Sequence, residues 1–160
     1  MAKSWMLAHP KDPTLVQFAA EKDQARKEYG EALTGYKRVL EIDPDNVVAL
    51  NNTAWILTEQ GDPKAVEYAQ HAHRLAPLNG AVLDTLGWSL TRTGDAKRGA
   101  QLLRMATAIS PGQPDIRLHF AKALLDAGDK AAAKQALTEL SKLDGNSPVR
   151  IEAERLLATL

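Results

Sequence analysis

Four prolines recur at an almost constant interval along the chain. They lie 34, 33 and 34 residues apart, at Pro10, Pro44, Pro77 and Pro111. Proline lacks a backbone N–H and clashes with the preceding helical turn, so each of them is expected to follow the end of a helix. A fixed period near 34 is typical of stacked helix-turn-helix units. The spacing therefore predicts an array of paired helices.

Small residues recur in the same register, once in each helix of a pair. They are Ala20, Ala54, Gly87 and Ala121 in the first helices, and Ala32, Ala65, Gly99 and Ala133 in the second. Small side chains let two antiparallel helices approach closely, and a large one would overpack the contact by roughly 1–3 kcal/mol. We expect all eight positions to be close helix contacts.

A Gly-Asp pair separates the two helices in three of the units, at Gly61-Asp62, Gly94-Asp95 and Gly128-Asp129. Glycine takes the left-handed conformation that ends one helix, and aspartate caps the N-terminus of the next. Proline is also predicted at a first helical position, where its missing N–H is harmless, in Asp12-Pro13, Asp62-Pro63 and Ser147-Pro148. The first unit lacks the Gly-Asp pair.

These signals predict an all-α fold, an α-α superhelix of about four helix pairs with a C-terminal capping helix. The predicted helices span residues 13–26, 29–42, 46–59, 62–75, 80–92, 95–109, 114–126, 129–142 and 147–159. We expect a single domain over residues 1–160, with repeats at 13–46, 47–79, 80–113 and 114–146 and a cap at 147–160. Residues 1–12, with Trp5 and Leu7 before Pro10, are expected to be the tail of a preceding repeat.

Composition argues against several classes of function. The 20 Lys and Arg residues balance the 20 Asp and Glu residues, and no basic run is interleaved with aromatics, so nucleic acid is not an expected partner. No apolar stretch approaches the 18 or so residues of a membrane span. The absence of cysteine excludes disulfides and thiolate catalysis, and it leaves the compartment open.

Catalytic and metal-binding patterns are not found in the sequence. His71 and His73 are two residues apart on a predicted helix and point about 200° from each other, so they do not chelate one metal. His9 and His119 each lack a second histidine at ligand spacing, and no glycine-rich phosphate loop is present. We expect no enzymatic activity, no cofactor and no metal.

The 34-residue unit resembles the tetratricopeptide repeat, a pair of antiparallel helices. Over residues 13–142, small residues fall at the family's eighth and twentieth positions, and proline falls at its thirty-second. Tyr29 and Tyr36 lie where the family often has aromatics in the second helix. The first unit, "AAEKDQARKEY", departs from the pattern at Asp23, where an apolar residue is usual.

The resemblance implies a non-enzymatic scaffold that binds a protein or peptide in a concave groove lined by the first helix of each unit. The family's contact positions correspond to Gln17, Glu21 and Gln24 in the first unit, Asn51, Asn52, Trp55 and Glu59 in the second, Asp84, Thr85, Trp88 and Arg92 in the third, and His119, Lys122 and Asp126 in the fourth. The family also includes clamps for a C-terminal carboxylate. Asn52 matches one clamp position, but Gln17 and Glu21 replace the expected lysine and asparagine, so an extended peptide is favoured over an Hsp90-type ligand.

Trp55 and Trp88 occupy equivalent positions, and two interpretations of them stay open. Each indole can seal the stack by packing against the next unit, which buries about 150–250 Å². Alternatively, partly exposed rings can form a platform for a peptide side chain or a sugar face. Polysaccharide binding, with Asn51, Asn52, Asp84 and Arg92 nearby, is thus one alternative to peptide binding. A structural spacer that self-associates through its repeat ends is another.

The middle of the chain is also similar to the C-terminal repeats of the PEP-CTERM system TPR lipoproteins, which accompany bacterial exosortase and exopolysaccharide gene clusters. The similarity lies in "LEIDPDNVVALNNTAWILTEQGDPKAVEYAQHAHRLAP" and "AVLDTLGWSLTRTGDAKRGAQLLRMATAISP". Because those proteins are longer arrays and "WMLAHPKDP" looks like a seam between repeats, it implies a fragment of an exported, lipid-anchored parent facing the periplasm. Without that narrower similarity, a cytoplasmic location is expected.

Overall fold

The computed structural model describes residues 12–160, which form nine α-helices and no strand. In chain order the helices are α1 (Pro13–Ala25), α2 (Tyr29–Ile42), α3 (Val47–Glu59), α4 (Ala65–Leu75), α5 (Gly80–Arg92), α6 (Ala96–Ile109), α7 (Pro114–Asp126), α8 (Lys130–Ser141) and α9 (Pro148–Leu157). The all-α prediction is confirmed for this part of the chain. The predicted tail with Trp5, Leu7 and Pro10 lies outside the described residues.

The predicted helix ends agree with the structure to within two residues, except at the start of α4. Pro13 and Pro148 stand at first helical positions as predicted. Pro63 does not, because residues 62–64 form a tighter turn before α4. In that turn the Ala65 N–H donates to the Asp62 carbonyl at 3.1 Å and the Val66 N–H to the Pro63 carbonyl at 3.3 Å. These bonds span three residues instead of four, which delays the α-helix to Ala65.

The helices belong to two compact units, each larger than one predicted repeat. The first unit ends at Ala76 and the second spans Pro77–Leu160, and "first unit" and "second unit" have this meaning from here on. In the first unit α2 packs against α1 and α3, and α4 packs against α3. In the second unit each helix from α5 to α9 packs against the next, and α7 also contacts α5 and α9. The grouping of these helices into four repeats and a cap within one domain stays a prediction.

The eight small residues predicted at helix contacts are all buried. The closest approach is between α5 and α6, where a Cβ added to Gly99 would lie 2.6 Å from the carbonyl oxygen of Gly87 and would also collide with the Thr91 hydroxyl. In the first unit a Cβ on Gly35 would lie 2.7 Å from the Cβ of Ala20. Backbone atoms cannot rotate away as a side chain can, so the Gly87–Gly99 contact has no room for a methyl group.

The turns between paired helices have the predicted conformation. Gly61, Gly94 and Gly128 have positive φ values of 72°, 100° and 86°. The side chains of Asp95 and Asp129 then cap α6 and α8 by accepting backbone N–H groups. In the turn between α1 and α2, Lys27 takes the left-handed conformation, with φ 63°. A non-glycine residue pays roughly 1–2 kcal/mol for this conformation, which makes that turn the least favourable of the four.

Replacing Gly99 with alanine is expected to lower the free energy of unfolding by about 1–3 kcal/mol. Alanine favours a helix by up to about 1 kcal/mol over glycine, and the steric collision outweighs that gain. Gly112→Ala is the matched control, since an added Cβ there meets nothing within 4 Å. Urea unfolding followed by circular dichroism measures both, and equal stabilities would contradict the predicted contact.

Candidate ligand-binding surfaces

An open cavity of about 440 Å³ lies in the first unit, where α1, α2 and α3 each contribute one face. It is lined by Glu21, Gln24, Ala25, Tyr29, Tyr36, Asn52 and Trp55. Apart from the adjacent pair Gln24 and Ala25, the lining residues from each helix are three, four or seven apart, which places them on the same side of that helix. Four of them were predicted contact residues: Glu21, Gln24, Asn52 and Trp55. Tyr29 and Tyr36 were identified only as family aromatics and not as site residues.

The hydroxyl of Tyr36 connects the three helices that form the cavity. It donates to Gln24 Oε1 at 2.6 Å and accepts from Asn52 Nδ2 at 3.1 Å. The Tyr36 side chain is completely buried, and burial raises the pKa of its hydroxyl to about 12, with the nearby charge of Glu21 adding to the effect. The hydroxyl therefore stays neutral and keeps both hydrogen bonds throughout the physiological pH range.

Trp55 packs against the core of the first unit and also lines the cavity. Its ring meets that of Tyr29 edge to face, with centroids 5.6 Å apart and planes at 60°. The side chain is partly buried. The indole is therefore partly exposed, as one of the two interpretations expects, while the core against which it packs is formed by α1, α2 and α3 and not by the next repeat.

Trp88 has a different environment in the second unit. Its side chain is only 7% exposed. The imidazole of His119 from α7 stacks on it in parallel, with centroids 4.6 Å apart and planes at 9°, and the Arg92 guanidinium lies 5.7 Å from the ring centroid. Asp84 Oδ1 lies 2.9 Å from His119 Nδ1 and holds that imidazole in place. The alternative of a partly exposed ring is wrong for Trp88, because His119 covers its face.

Lys122 is engaged by the last helix. Its ammonium lies 2.8 Å from Glu152 Oε1 on α9, and the same carboxylate accepts from Arg155 at 2.7 Å. Hydrogen bonds from Arg155 and Lys122 lower the pKa of Glu152 from 4.5 to about 2. The lysine that replaces tryptophan in the fourth predicted repeat therefore forms an ion pair between α7 and the predicted capping helix.

The other predicted contact residues differ in exposure. Thr85 is buried, with 4% of its surface exposed, and offers almost nothing to a ligand. Asn51 is partly buried, and its Oδ1 atom is buried and has no hydrogen-bond partner among residues 12–160. The exposed members of the set are Glu59, Arg92 and Asp126. The side-chain amide of Gln17 donates a hydrogen bond to Glu21 Oε1 at 2.9 Å.

Neither a metal site nor a membrane-spanning helix is found among residues 12–160. No cluster of three or more His, Asp or Glu side chains in this range is arranged to hold a metal ion. No helix in the same range has both the length and the apolar character needed to cross a bilayer. His71, one of the two histidines considered as a metal-binding pair in the sequence, has its Nε2 atom 2.8 Å from Asp45 Oδ1 in an exposed contact.

Paired helices with small residues at their contacts and left-handed turns between them define a repeat protein of the α-α superhelix class. Two family profiles, each described as a tetratricopeptide repeat, match residues 36–67 and 90–160, more than half of the chain together. The chain carries tetratricopeptide repeats.

Among proteins of known sequence, the cellulose synthase 2 operon protein C of Komagataeibacter xylinus is 30% identical over 131 residues. The match covers 80% of this chain and 10% of that protein, so the chain spans a tenth of its relative's length.

Solved structures of low sequence identity show the same fold. A thermophilic TPR protein of Thermus thermophilus has a TM-score of 0.78 at 18% identity, covering 98% of this chain and 87% of that one. YrrB, a TPR protein with an unusual peptide-binding site, has a TM-score of 0.75 at 19% identity, covering 99% and 80%. These likenesses establish the tetratricopeptide-repeat fold.

Replacing Trp88 with alanine is expected to cost about 3–5 kcal/mol of stability, because it leaves a large gap beneath His119. Trp55→Ala is the comparison, and it should cost less because that ring is only partly buried. Urea unfolding midpoints of the two variants measure the difference. Equal losses would show that the two indoles have similar environments.

Removing the Glu152 carboxylate should change how stability depends on pH. Its pKa is depressed in the folded chain, so its contribution is complete above about 4.5 and is lost as the pH falls toward 2. We expect Glu152→Gln to lose about 1 kcal/mol at neutral pH and to depend less on pH between 4.5 and 2. Thermal melts across that range test this, with exposed Glu31→Gln as the control. Parallel curves for wild type and Glu152→Gln would contradict it.

Proposed function

We propose that the chain is a non-enzymatic interaction scaffold whose first unit binds an extended peptide segment of a partner protein. The observation that carries this proposal is the cavity of α1, α2 and α3, where a partly buried indole stands beside fixed hydrogen-bonding groups. Large aromatics of this kind are the residues that most often dominate binding energy at protein interfaces. The tetratricopeptide-repeat fold supports protein or peptide partners in general.

The shape and chemistry of the cavity suit a peptide. Its volume of about 440 Å³ lies within the usual range for ligand sites, and it is open, so a chain can cross it with one side chain inserted. Gln24 and Asn52 each use one amide atom to bond Tyr36. Their other amide atoms, a donor on Gln24 and an acceptor on Asn52, match the C=O and N–H groups of a peptide backbone.

The second unit has a lesser role in this proposal. Trp88 and Thr85 are buried, and Lys122 is paired with Glu152. Among its predicted contact residues, exposed Arg92 and Asp126 are what this unit offers to a partner. Asn51 and Glu59 on α3 are proposed as further contacts of the first unit.

The proposed setting is a bacterial envelope assembly concerned with exopolysaccharide or protein sorting. It is supported by the similarity to the cellulose synthase 2 operon protein C, over a tenth of that protein's length, and by the resemblance to the PEP-CTERM lipoprotein repeats. In this setting the chain would be part of a longer, periplasm-facing array.

Carbohydrate binding is the second candidate, and the same cavity is the observation that favours it. A sugar face can stack on the indole of Trp55 while amide groups of Asn52 and Gln24 bond its hydroxyls. A platform of two tryptophans is not part of this candidate, because His119 covers Trp88.

Peptide selection tests the proposal directly. Random peptides displayed on phage are selected against the immobilised protein, and their affinities are then measured for purified variants. We expect Trp55→Ala to weaken the selected peptides by about tenfold or more.

The matched control is Tyr68→Ala, an aromatic of the same unit that lines a separate cavity beside Leu40 and His71. Its affinity should equal that of the wild type. Selected peptides that bind Trp55→Ala and wild type equally would contradict the proposed site. Binding of cello-oligosaccharides that is lost in Trp55→Ala would instead support the second candidate.

A further inference from the structure

We propose that the first-unit cavity selects a lysine or arginine side chain of the bound peptide, whose cation contacts the Glu21 carboxylate and the rings of Trp55 and Tyr29. This inference rests on the proposed function and names the chemistry of the partner segment. The proposed ligand is a cation, whereas the clamp members of the family bind a C-terminal carboxylate, which has the opposite charge.

The charge of the cavity is negative. Among residues 12–160, Glu21 is the one charged residue that lines it, and no lysine, arginine or histidine of this range is part of the lining. From the residues that the structure describes, the Glu21 carboxylate accepts one side-chain hydrogen bond, from the neutral amide of Gln17 at 2.9 Å. A carboxylate has room for several more donors, so Glu21 can accept N–H groups from a ligand.

The basic residues on the same helix are engaged elsewhere. The ammonium of Lys22 lies 5.2 Å from the centroid of the Phe18 ring. Arg26, just after α1, pairs with both Asp23 and Glu28. Neither cation forms an ion pair with Glu21, so within the described part of the chain the carboxylate is left available to an incoming cation.

The aromatic lining adds a second attraction for a cation. A lysine or arginine placed over the face of a tryptophan or tyrosine is attracted by the negative charge of the ring face. The rings of Trp55 and Tyr29 meet at 60°, so their faces are turned in different directions, and both residues line the cavity. The long aliphatic part of either basic side chain can also cover the indole while its charge reaches the carboxylate.

The polar groups of the cavity complete the match. The bond between Asn52 and Tyr36 uses the amide nitrogen of Asn52, which leaves the amide oxygen of Asn52 as an acceptor for a ligand. An ammonium has three donors and a guanidinium five, and neither has an acceptor. An acidic side chain would face Glu21 with like charge, and an apolar one would leave the oxygens of Glu21 and Asn52 without new partners.

A peptide series that differs in one side chain tests the inference. Short capped peptides of glycine, serine and alanine carry lysine, norleucine or glutamate at the centre, and they are titrated into the full chain labelled with ¹⁵N. The indole N–H signal of Trp55 reports binding and is assigned by its loss in Trp55→Phe. We expect the lysine peptide to bind about tenfold more tightly than the norleucine peptide, and the glutamate peptide to bind more weakly than both.

Glu21→Gln should reduce that preference for lysine to about threefold or less, while it keeps an acceptor for Gln17. Glu67→Gln is the matched control, since it removes the same charge from α4 and Glu67 lines a different cavity. In this variant the preference should be unchanged. Raised salt should reduce the lysine preference in the wild type, because partly exposed charges are screened.

The possible results separate the inference from the proposed function. Equal binding of lysine and norleucine peptides, or an unchanged preference in Glu21→Gln, would overturn the cation inference and leave peptide binding in place. If no peptide moves the Trp55 signal, both are overturned. A cello-oligosaccharide that moves the signal when no peptide does would assign the cavity to carbohydrate.

Discussion

The close approach of paired helices is the constraint on which both units depend. At Gly87 and Gly99 the backbones of α5 and α6 come so near that one added methyl group would meet a carbonyl oxygen at less than 3 Å. Alanine and glycine serve the same purpose between α1 and α2, at Ala20 and Gly35. Large side chains then pack around these close contacts, as Leu103 does beside Gly87, and others form the surfaces. The ligand-binding chemistry of the chain follows from how those larger residues are arranged.

Two tryptophans at equivalent repeat positions show how strongly neighbouring residues decide the outcome. Trp88 is covered by a parallel imidazole that Asp84 holds in place, and it has become part of the core of its unit. Trp55 meets Tyr29 edge to face, and this contact leaves part of the indole at the border of a cavity. A repeated sequence phrase therefore fixes the position of the indole on its helix, whereas its exposure is decided by residues on other helices.

Local signals account for what could be predicted. Helix ends, the left-handed turns at Gly94 and Gly128, and the aspartate caps depend on residues adjacent in sequence, and they were predicted correctly. The start of α4 was not, because the turn at Pro63 uses bonds across three residues. Four of the seven residues that line the cavity followed from repeat position. Tyr29 and Tyr36 were missed because they lie on the second helix of their repeat, whereas the predicted contact positions lie on the first helix. The signal that could have found Tyr36 is that a buried hydroxyl group needs hydrogen-bond partners.

The central claim is that one indole borders an open binding site and the other is enclosed. Acrylamide quenching of single-tryptophan proteins tests it most directly, with the other two tryptophans replaced by phenylalanine in each case. We predict that Trp55 fluorescence is quenched markedly more efficiently than that of Trp88. A Trp88 quenched as efficiently as Trp55, in a protein with an unchanged circular dichroism spectrum, would contradict the account.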